Sequence, residues 1–487
     1  MRTALWTFLA AAAFSSCSHP HATPNWQNLD LEKDGVPGIS TGKAYSQLLG
    51  DKKAETTIVA VLDSGIDTTQ EDLRPVLWTD SADGSHGRNY ILQERGKEDF
   101  IPMLGIGSES PGYQRTLNDY NLHVTRLSDF IRQLKASKWI LERIRVNIGK
   151  QEPSLADLGN YQPRNEDETR LIGLVLDRMP AYSDFDSFRF AEVDHLLELG
   201  QYHLEHALNR APELGIDSVF SNKDVSNAPL GLVSDPNAAP EHGTYMASII
   251  AAVRNNGIGI DGIAGHTRIM SLKLFDNIRE MRNDNLAAAI RYAAGHGARV
   301  ISMSFGKTFS WHREVVDSAV RYAMSKGVLL VHSAGNDGMD LDADGNAFFP
   351  SPQYQNGGVA PAWITVGASG FRDDTTLVPK FSNYGHKQVD VFAPGVQITG
   401  VRPHSGLTTF DGTSQAGAVV AGLAALIMAY YPALTAVQVR EIIMRSVVKR
   451  SALEDKCISG GIVNAYNALQ LAAVYRSLPD QHNGARF

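Results

Sequence analysis

Short apolar runs alternate with longer stretches of helical period through most of the chain. Residues 57–62 (TIVAVL) are continuously apolar and rich in β-branched side chains, which predicts a strand buried on both faces. Residues 268–274 (RIMSLKL), 299–304 (RVISMS), 328–333 (VLLVHS), 363–367 (WITVG) and 389–392 (VDVF) read as further strands. Between them, residues 285–297 (NLAAAIRYAAGHG) and 313–327 (REVVDSAVRYAMSKG) carry helical patterns that end in glycine, a common residue just past a helix C-terminus. Strand, helix and strand at this spacing predict right-handed crossovers. The expected fold class is α/β: a doubly wound, mostly parallel sheet with helices on both faces.

Residues 113–215 break that rhythm. They hold no strong strand run and carry 13 Lys/Arg and 16 Asp/Glu in 103 positions, richer in charge than the 20% of the whole chain. Residues 129–148 and 188–208 space their apolar side chains by three and four, so they predict amphipathic helices. The segment reads as a helical insertion, either restricting access to a cleft or serving as an inert ornament or docking surface. The expected organisation is a leader over 1–16, a tether and N-terminal extension over 17–50, an α/β body over 51–112 and 216–476, the insertion over 113–215, and a tail over 477–487.

The leader has one positive charge in Met1-Arg2-Thr3, an apolar run over 4–14 broken only by Thr7, then Ser15-Ser16-Cys17. That run is too short to span a bilayer but has the layout of an export signal. It resembles a bacterial lipoprotein signal, with Phe14 where that pattern usually has an aliphatic residue. The resemblance implies lipidation of Cys17 and a cell-envelope location, periplasmic or outer face, with the lipid as the only membrane anchor. Otherwise the chain is secreted. Its only other cysteine, Cys457, then becomes an inert free thiol, and no disulfide framework is expected. The 43% hydrophobic content suffices for a large core, and a formal charge of −8 argues against a nucleic-acid partner.

Three segments carry acyl-transfer chemistry: Asp63 in VAVLDSGID, His242 in EHGTYMASIIAAV and Ser414 in DGTSQAGAVVAG. A serine hydroxyl is a weak nucleophile, so an imidazole must take its proton and a carboxylate must orient that imidazole. Asn336 in VLLVHSAGND adds a side-chain amide able to donate to a developing oxyanion beside the Ser414 backbone N–H. Taken singly, Asp63 and Asn336 are ordinary turn residues, His242 a helix-start residue and Ser414 an N-cap. Together, at strand ends where doubly wound sheets form their sites, they reverse that reading.

With DSG at Asp63, HGT at His242, SMSFG, SAGN, GTS at Ser414, and the phrases FSNYG and VFAPG, the chain resembles the subtilisin-like serine proteases, or subtilases. The resemblance implies hydrolysis of polypeptide substrates with no cofactor needed for the chemistry. Ser414 is the implied nucleophile, His242 the general base and acid, Asp63 its partner and Asn336 the oxyanion donor. Ser302, Met303, Ser304, Phe305 and Gly306 would form an extended edge to which substrate adds as a strand. Ser333, Ala334 and Gly335 would line the primary specificity pocket.

Two departures bear on this. The family usually has Met-Ala and then a Pro after its serine, where this chain has Gln415-Ala416-Gly417-Ala418, and a buried Gln amide must find partners. Ser248 stands where the His-bearing helix usually has Gly. These changes keep open a catalytically impaired binding protein of the same fold. An envelope interaction protein working through the insertion is a third class. Structural Ca²⁺ is allowed by the resemblance, and Asp340, Asp342 and Asp344 in DLDADGNAF are the weak ligand candidates, with Ser351 where a calcium loop needs a carboxylate. Oligomeric state is left open.

Overall fold

The computed structural model describes residues 22–50, 52–90, 111–179, 184–202, 204, 241–275, 281–307, 310, 313–343, 346 and 348–475. The leader, Cys17, Asp344 and the tail lie outside them. The chain divides into two compact units, one of Met1–Pro20 with Glu94–Ser234 and the other of His21–Gln93 with Asp235–Phe487.

The larger unit is built on a nine-stranded sheet in the order β10-β11-β7-β6-β5-β4-β1-β3-β2. The strands are β1 (Thr57–Asp63), β2 (Gly87–Asn89), β3 (Thr267–Lys273), β4 (Val300–Met303), β5 (Leu329–Ser333), β6 (Trp363–Ser369), β7 (Val391–Pro394), β10 (Val448–Lys449) and β11 (Gly461–Ile462). Every pairing is parallel except β10 with β11. From β1 the chain goes first to one side, forming β2 and then β3, and then crosses to β4 on the other. The gap between β1 and β4 is therefore a topological switch point, where open α/β sheets form their ligand crevices.

Alternation within each strand explains the continuous apolar runs. Val59 and Val61 of β1 join one core, while Ala60 and Leu62 join the core on the opposite face. Leu329 and Val331 of β5 divide from Leu330 in the same way. Burial on both faces leaves no polar alternation to read. The first core takes in helices Glu241–Ala251 and Thr413–Tyr430, and the second takes in Asn283–Gly295 and Arg313–Ser325. Helix Thr413–Tyr430 is long and apolar enough to cross a membrane, but 94% of it is buried inside the protein, as befits a central core helix. It crosses Glu241–Ala251 closely: a methyl group on Gly422 would lie 3.2 Å from the Ile250 carbonyl oxygen.

The hairpin of β8 (Ile398–Val401) and β9 (Leu407–Phe410) was not foreseen in the sequence pattern. Part of the tether and N-terminal extension expected over 17–50 packs against the larger unit's other elements. Trp26, Gln27 and Asn28 form a buried turn, and the Trp26 indole N–H donates to the carbonyls of Val396 and Gln397.

The helical insertion expected over 113–215 falls within the smaller unit, which has its own core. Helix Pro111–Ile148 buries Ile131, Leu134, Leu141 and Ile144 with Leu171, Ile172 and Val175 of helix Glu166–Arg178, and with Phe185 and Phe188. Side-chain caps start its shorter helices: Ser154 with Asp157, Asn165, and Asp184. The buried Glu168 carboxylate accepts from Arg143, from the Tyr161 hydroxyl at 3.0 Å and from the Arg164 N–H at 2.7 Å. Those partners outweigh its desolvation and lower its pKa.

Candidate active site

Asp63 is the last residue of β1, and its side chain is 1% exposed. Both carboxylate oxygens face the Nδ1 of His242, at 2.8 and 2.9 Å, and Oδ1 also accepts the Ser64 N–H at 2.7 Å. A carboxylate can only accept here, so Nδ1 carries the proton and Nε2 keeps its lone pair for a substrate-side proton. Burial disfavours a charged His242 ring. The attraction and hydrogen bond of Asp63, with help from Glu241, outweigh it and raise the pKa.

His242 reaches Asp63 because its helix abuts the strand end. A methyl group on Gly243 would lie 2.0 Å from the Gly65 carbonyl oxygen, and the Gly243 N–H donates to the Ser64 hydroxyl at 3.1 Å. Only glycine permits that approach. Ser248, unusual at its position, lies deeper in the same helix. Its hydroxyl donates to the Tyr245 carbonyl at 2.7 Å and accepts the Val401 N–H at 3.1 Å, tying the helix to β8.

Ser414 lies in the first turn of helix Thr413–Tyr430, where backbone N–H groups have no intrahelical partner. Its hydroxyl donates to the Ser304 carbonyl at 3.2 Å, and the Ser304 hydroxyl donates to the Ser414 carbonyl at 3.1 Å. This reciprocal pair docks the helix start just beyond β4, across the switch point from Asp63. Among the described residues no hydrogen bond joins Ser414 to His242. Such bonds are often long in free enzymes and tighten only with substrate.

Asn336 follows β5 through Gly335, whose φ of 99° suits glycine. Its Oδ1 accepts both the N–H (2.8 Å) and the hydroxyl (2.9 Å) of Thr413. The amide NH₂ is thereby turned toward the Ser414 backbone: a methyl group on Gly412 would be 3.5 Å from Asn336 Nδ2 and 3.7 Å from Ser414 N. Two N–H donors, one from a side chain and one from the main chain, thus border the position beside Gly412.

Two pinning residues escaped the sequence reading. Thr413 was legible only as the middle letter of GTS. Asn383, within FSNYG, is fully buried and holds the Asn336 loop from below. Its Oδ1 accepts the N–H groups of Asp337 (3.0 Å) and Met339 (2.9 Å), and its Nδ2 donates to the Ala334 carbonyl (2.8 Å). His332 is buried in β5 and its Nε2 meets the Phe305 carbonyl at 2.8 Å. Burial pushes its pKa down to about 4, so the ring is neutral near pH 7 and donates through Nε2–H.

The expected substrate edge needs correction. Ser302 and Met303 pair with Val61 and Leu62 on one side and with Val331 and His332 on the other, so their backbones are committed within the sheet. Only Ser304, Phe305 and Gly306 extend past it, with Gly306 exposed. Ser333 and Ala334 are buried in and just after β5, leaving Gly335 as the member of that segment beside Asn336. Of the three carboxylates offered for a metal, Asp344 lies outside the described residues. Asp340 accepts the Asp342 N–H at 3.0 Å and Asp342 accepts the Lys387 N–H at 2.8 Å, as turn carboxylates do. Among the described residues no group of three or more His, Cys, Asp or Glu is placed to hold an ion. Cys457 is buried, and burial raises its thiol pKa.

A model of the subtilase family matches residues 54–461. The chain belongs to that family. This subtilase is 36% identical over 235 residues to a thermophilic serine proteinase of Bacillus sp. (strain AK1), covering 48% of this chain and 53% of that protein. It is 35% identical over 237 residues to thermitase of Thermoactinomyces vulgaris, covering 49% of this chain and 77% of thermitase. The chain therefore spans about half the length of the first of these relatives. Among solved structures, a subtilase cytotoxin matches with 26% identity and a TM-score of 0.43, over 52% of this chain and 82% of that one.

Proposed function

We propose that this subtilase is a serine endopeptidase that hydrolyses polypeptides through an acyl-enzyme on Ser414. The observation carrying the reading is the pair of contacts from the buried Asp63 carboxylate to His242 Nδ1, which leaves Nε2 as a base. In the reaction His242 Nε2 takes the Ser414 proton as Oγ attacks the scissile carbonyl. The oxyanion accepts from Asn336 Nδ2 and the Ser414 N–H. His242 returns the proton to the leaving amine, and a water deprotonated by the same ring releases the acid. Asp63 stays ionised throughout and stabilises the imidazolium. The named activities of the thermophilic proteinase and thermitase support the substrate class.

A fluorophosphonate probe tests this, together with hydrolysis of a denatured protein. Labelling and hydrolysis that both vanish in Ser414→Ala support it; hydrolysis that survives the substitution refutes it. One observation favours the alternative of an impaired peptide binder: the Ser414 hydroxyl is bonded to Ser304 rather than to His242. That alternative expects peptide binding without labelling. We also propose export with lipidation at Cys17, for which the leader's layout is the support. Cys17→Ala would then move the protein from the membrane to the soluble fraction.

A further inference from the structure

One aromatic ring outside every motif lies beside the backbone segments around Ser414. Phe348 projects from the loop between β5 and β6, and its ring sits between the two backbone segments that flank Ser414. A methyl group on Gly306 would lie 2.2 Å from two carbons of that ring, and one on Gly335 would lie 2.9 Å from two. Gly306 is two residues past Ser304, which is bonded to Ser414, and Gly335 immediately precedes Asn336. The ring therefore lies against both walls of the slot that a side chain at the acyl carbon would enter.

The placement is held firmly. Phe349 and Lys307 exchange both main-chain hydrogen bonds, at 2.8 and 2.9 Å, which fixes the loop beside the end of the Ser304–Gly306 segment. Arg313 stacks on the Phe349 ring at 5.1 Å and donates to Ser351 at 3.0 Å. The buried His332 backs Phe348, with ring centroids 5.6 Å apart, and is itself bonded to the Phe305 carbonyl. Swinging the ring outward gives up the His332 contact.

We infer that Phe348 closes the primary side-chain pocket, so that this protein cuts after small residues such as glycine, alanine and serine. The inference rests on the peptidase reading and deepens it by naming the substrate class. A ring serving only the core would be indifferent to the residue before the cut bond, because its packing against the buried cluster that includes Ala334 is complete without substrate.

The test uses the full chain and N-acyl tetrapeptide p-nitroanilides that differ only in the residue before the cleaved bond: Gly, Ala, Ser, Leu or Phe. The wild type is expected to favour Ala over Leu and Phe by at least about tenfold in kcat/KM, the scale on which pockets discriminate by size. Phe348→Ala and the milder Phe348→Leu, checked by thermal melting, should raise turnover of the Leu and Phe substrates by about tenfold relative to Ala. Wild type that cuts after Phe or Leu as fast as after Ala overturns the inference, whether or not the variants fold. An unchanged ranking in a folded variant overturns it as well. Failure of the peptidase reading looks different: no anilide is turned over and the serine probe labels nothing, which removes both proposals together.

Discussion

Replacing Thr413 by Val removes one hydroxyl from beneath the reacting serine while keeping the side chain's shape. Thr413 is fully buried, and its Oγ1 accepts the Gly335 N–H at 3.1 Å while donating to Asn336 Oδ1 at 2.9 Å. The substitution leaves the Gly335 N–H buried without a partner, at a cost of about 1–3 kcal/mol. Asn336 keeps the Thr413 N–H at 2.8 Å, so its amide is loosened rather than released. The melting temperature should fall by a few degrees, since each kcal/mol shifts a domain of 150–250 residues by roughly 2–4 °C. Removing an oxyanion donor outright costs about 10²–10³ in kcat in the known subtilisin case. Thr413→Val should therefore lower kcat by about tenfold, or about 1.4 kcal/mol, with KM changed less than about twofold. Asn336→Ala should fall in the full range. Because Thr413 acts through Asn336, the double variant should be no slower than Asn336→Ala alone. Steady-state kinetics on a peptide anilide, with melts of all three variants, decide the matter. A kcat unchanged in Thr413→Val, or effects that multiply in the double variant, would refute the pinning argument.

The base must be neutral to act, and Asp63 raises the His242 pKa above 6.5; the acid limb of kcat/KM should accordingly have its midpoint above pH 6.5. The same raised pKa makes the pair's contribution to stability fully present below pH 6.5 and lost as pH rises through the folded value. In Asp63→Asn the desolvation of the ring is left unopposed by that charge. The limb should then move down, with kcat reduced by about 10⁴; a limb that stays in place counts against the assignment. Asn383→Ala removes the acceptor of two N–H groups and the donor to a carbonyl under the Asn336 loop, so denaturant melts should show a loss of about 3 kcal/mol and kinetics a lower kcat. Gln415 is 3% exposed and its Oε1 is buried without a hydrogen bond. Gln415→Met removes that orphan at similar volume and should raise the melting temperature, whereas a lower one would mean the amide's contact with the Tyr245 hydroxyl matters more.

What could be read in advance follows from how each residue acts. The six strands predicted between residues 57 and 392 lie close to their expected places because strands buried mostly on both faces write themselves as short, largely apolar runs. The β8–β9 hairpin wrote no such run, since Leu407–Phe410 is largely exposed and half threonine. The same both-sided pairing that made residues 299–304 legible as a strand is what disqualifies Ser302 and Met303 as a free edge. Position in a run gives no strand order, and order decides which backbone is left open. In the site, Asp63, His242, Ser414 and Asn336 stood out in the sequence because they follow strands or start helices, and the structure brings Asp63 to His242 and Asn336 to Thr413 beside Ser414. Thr413 and Asn383 bear no such chemistry, and their importance lies in the main-chain groups of Gly335, Asp337 and Met339 that they satisfy. Phe348 is harder still, because its effect comes from the absence of side chains on Gly306 and Gly335. A glycine leaves room for a neighbour without naming it, so specificity set by such a neighbour has to be read from the folded chain.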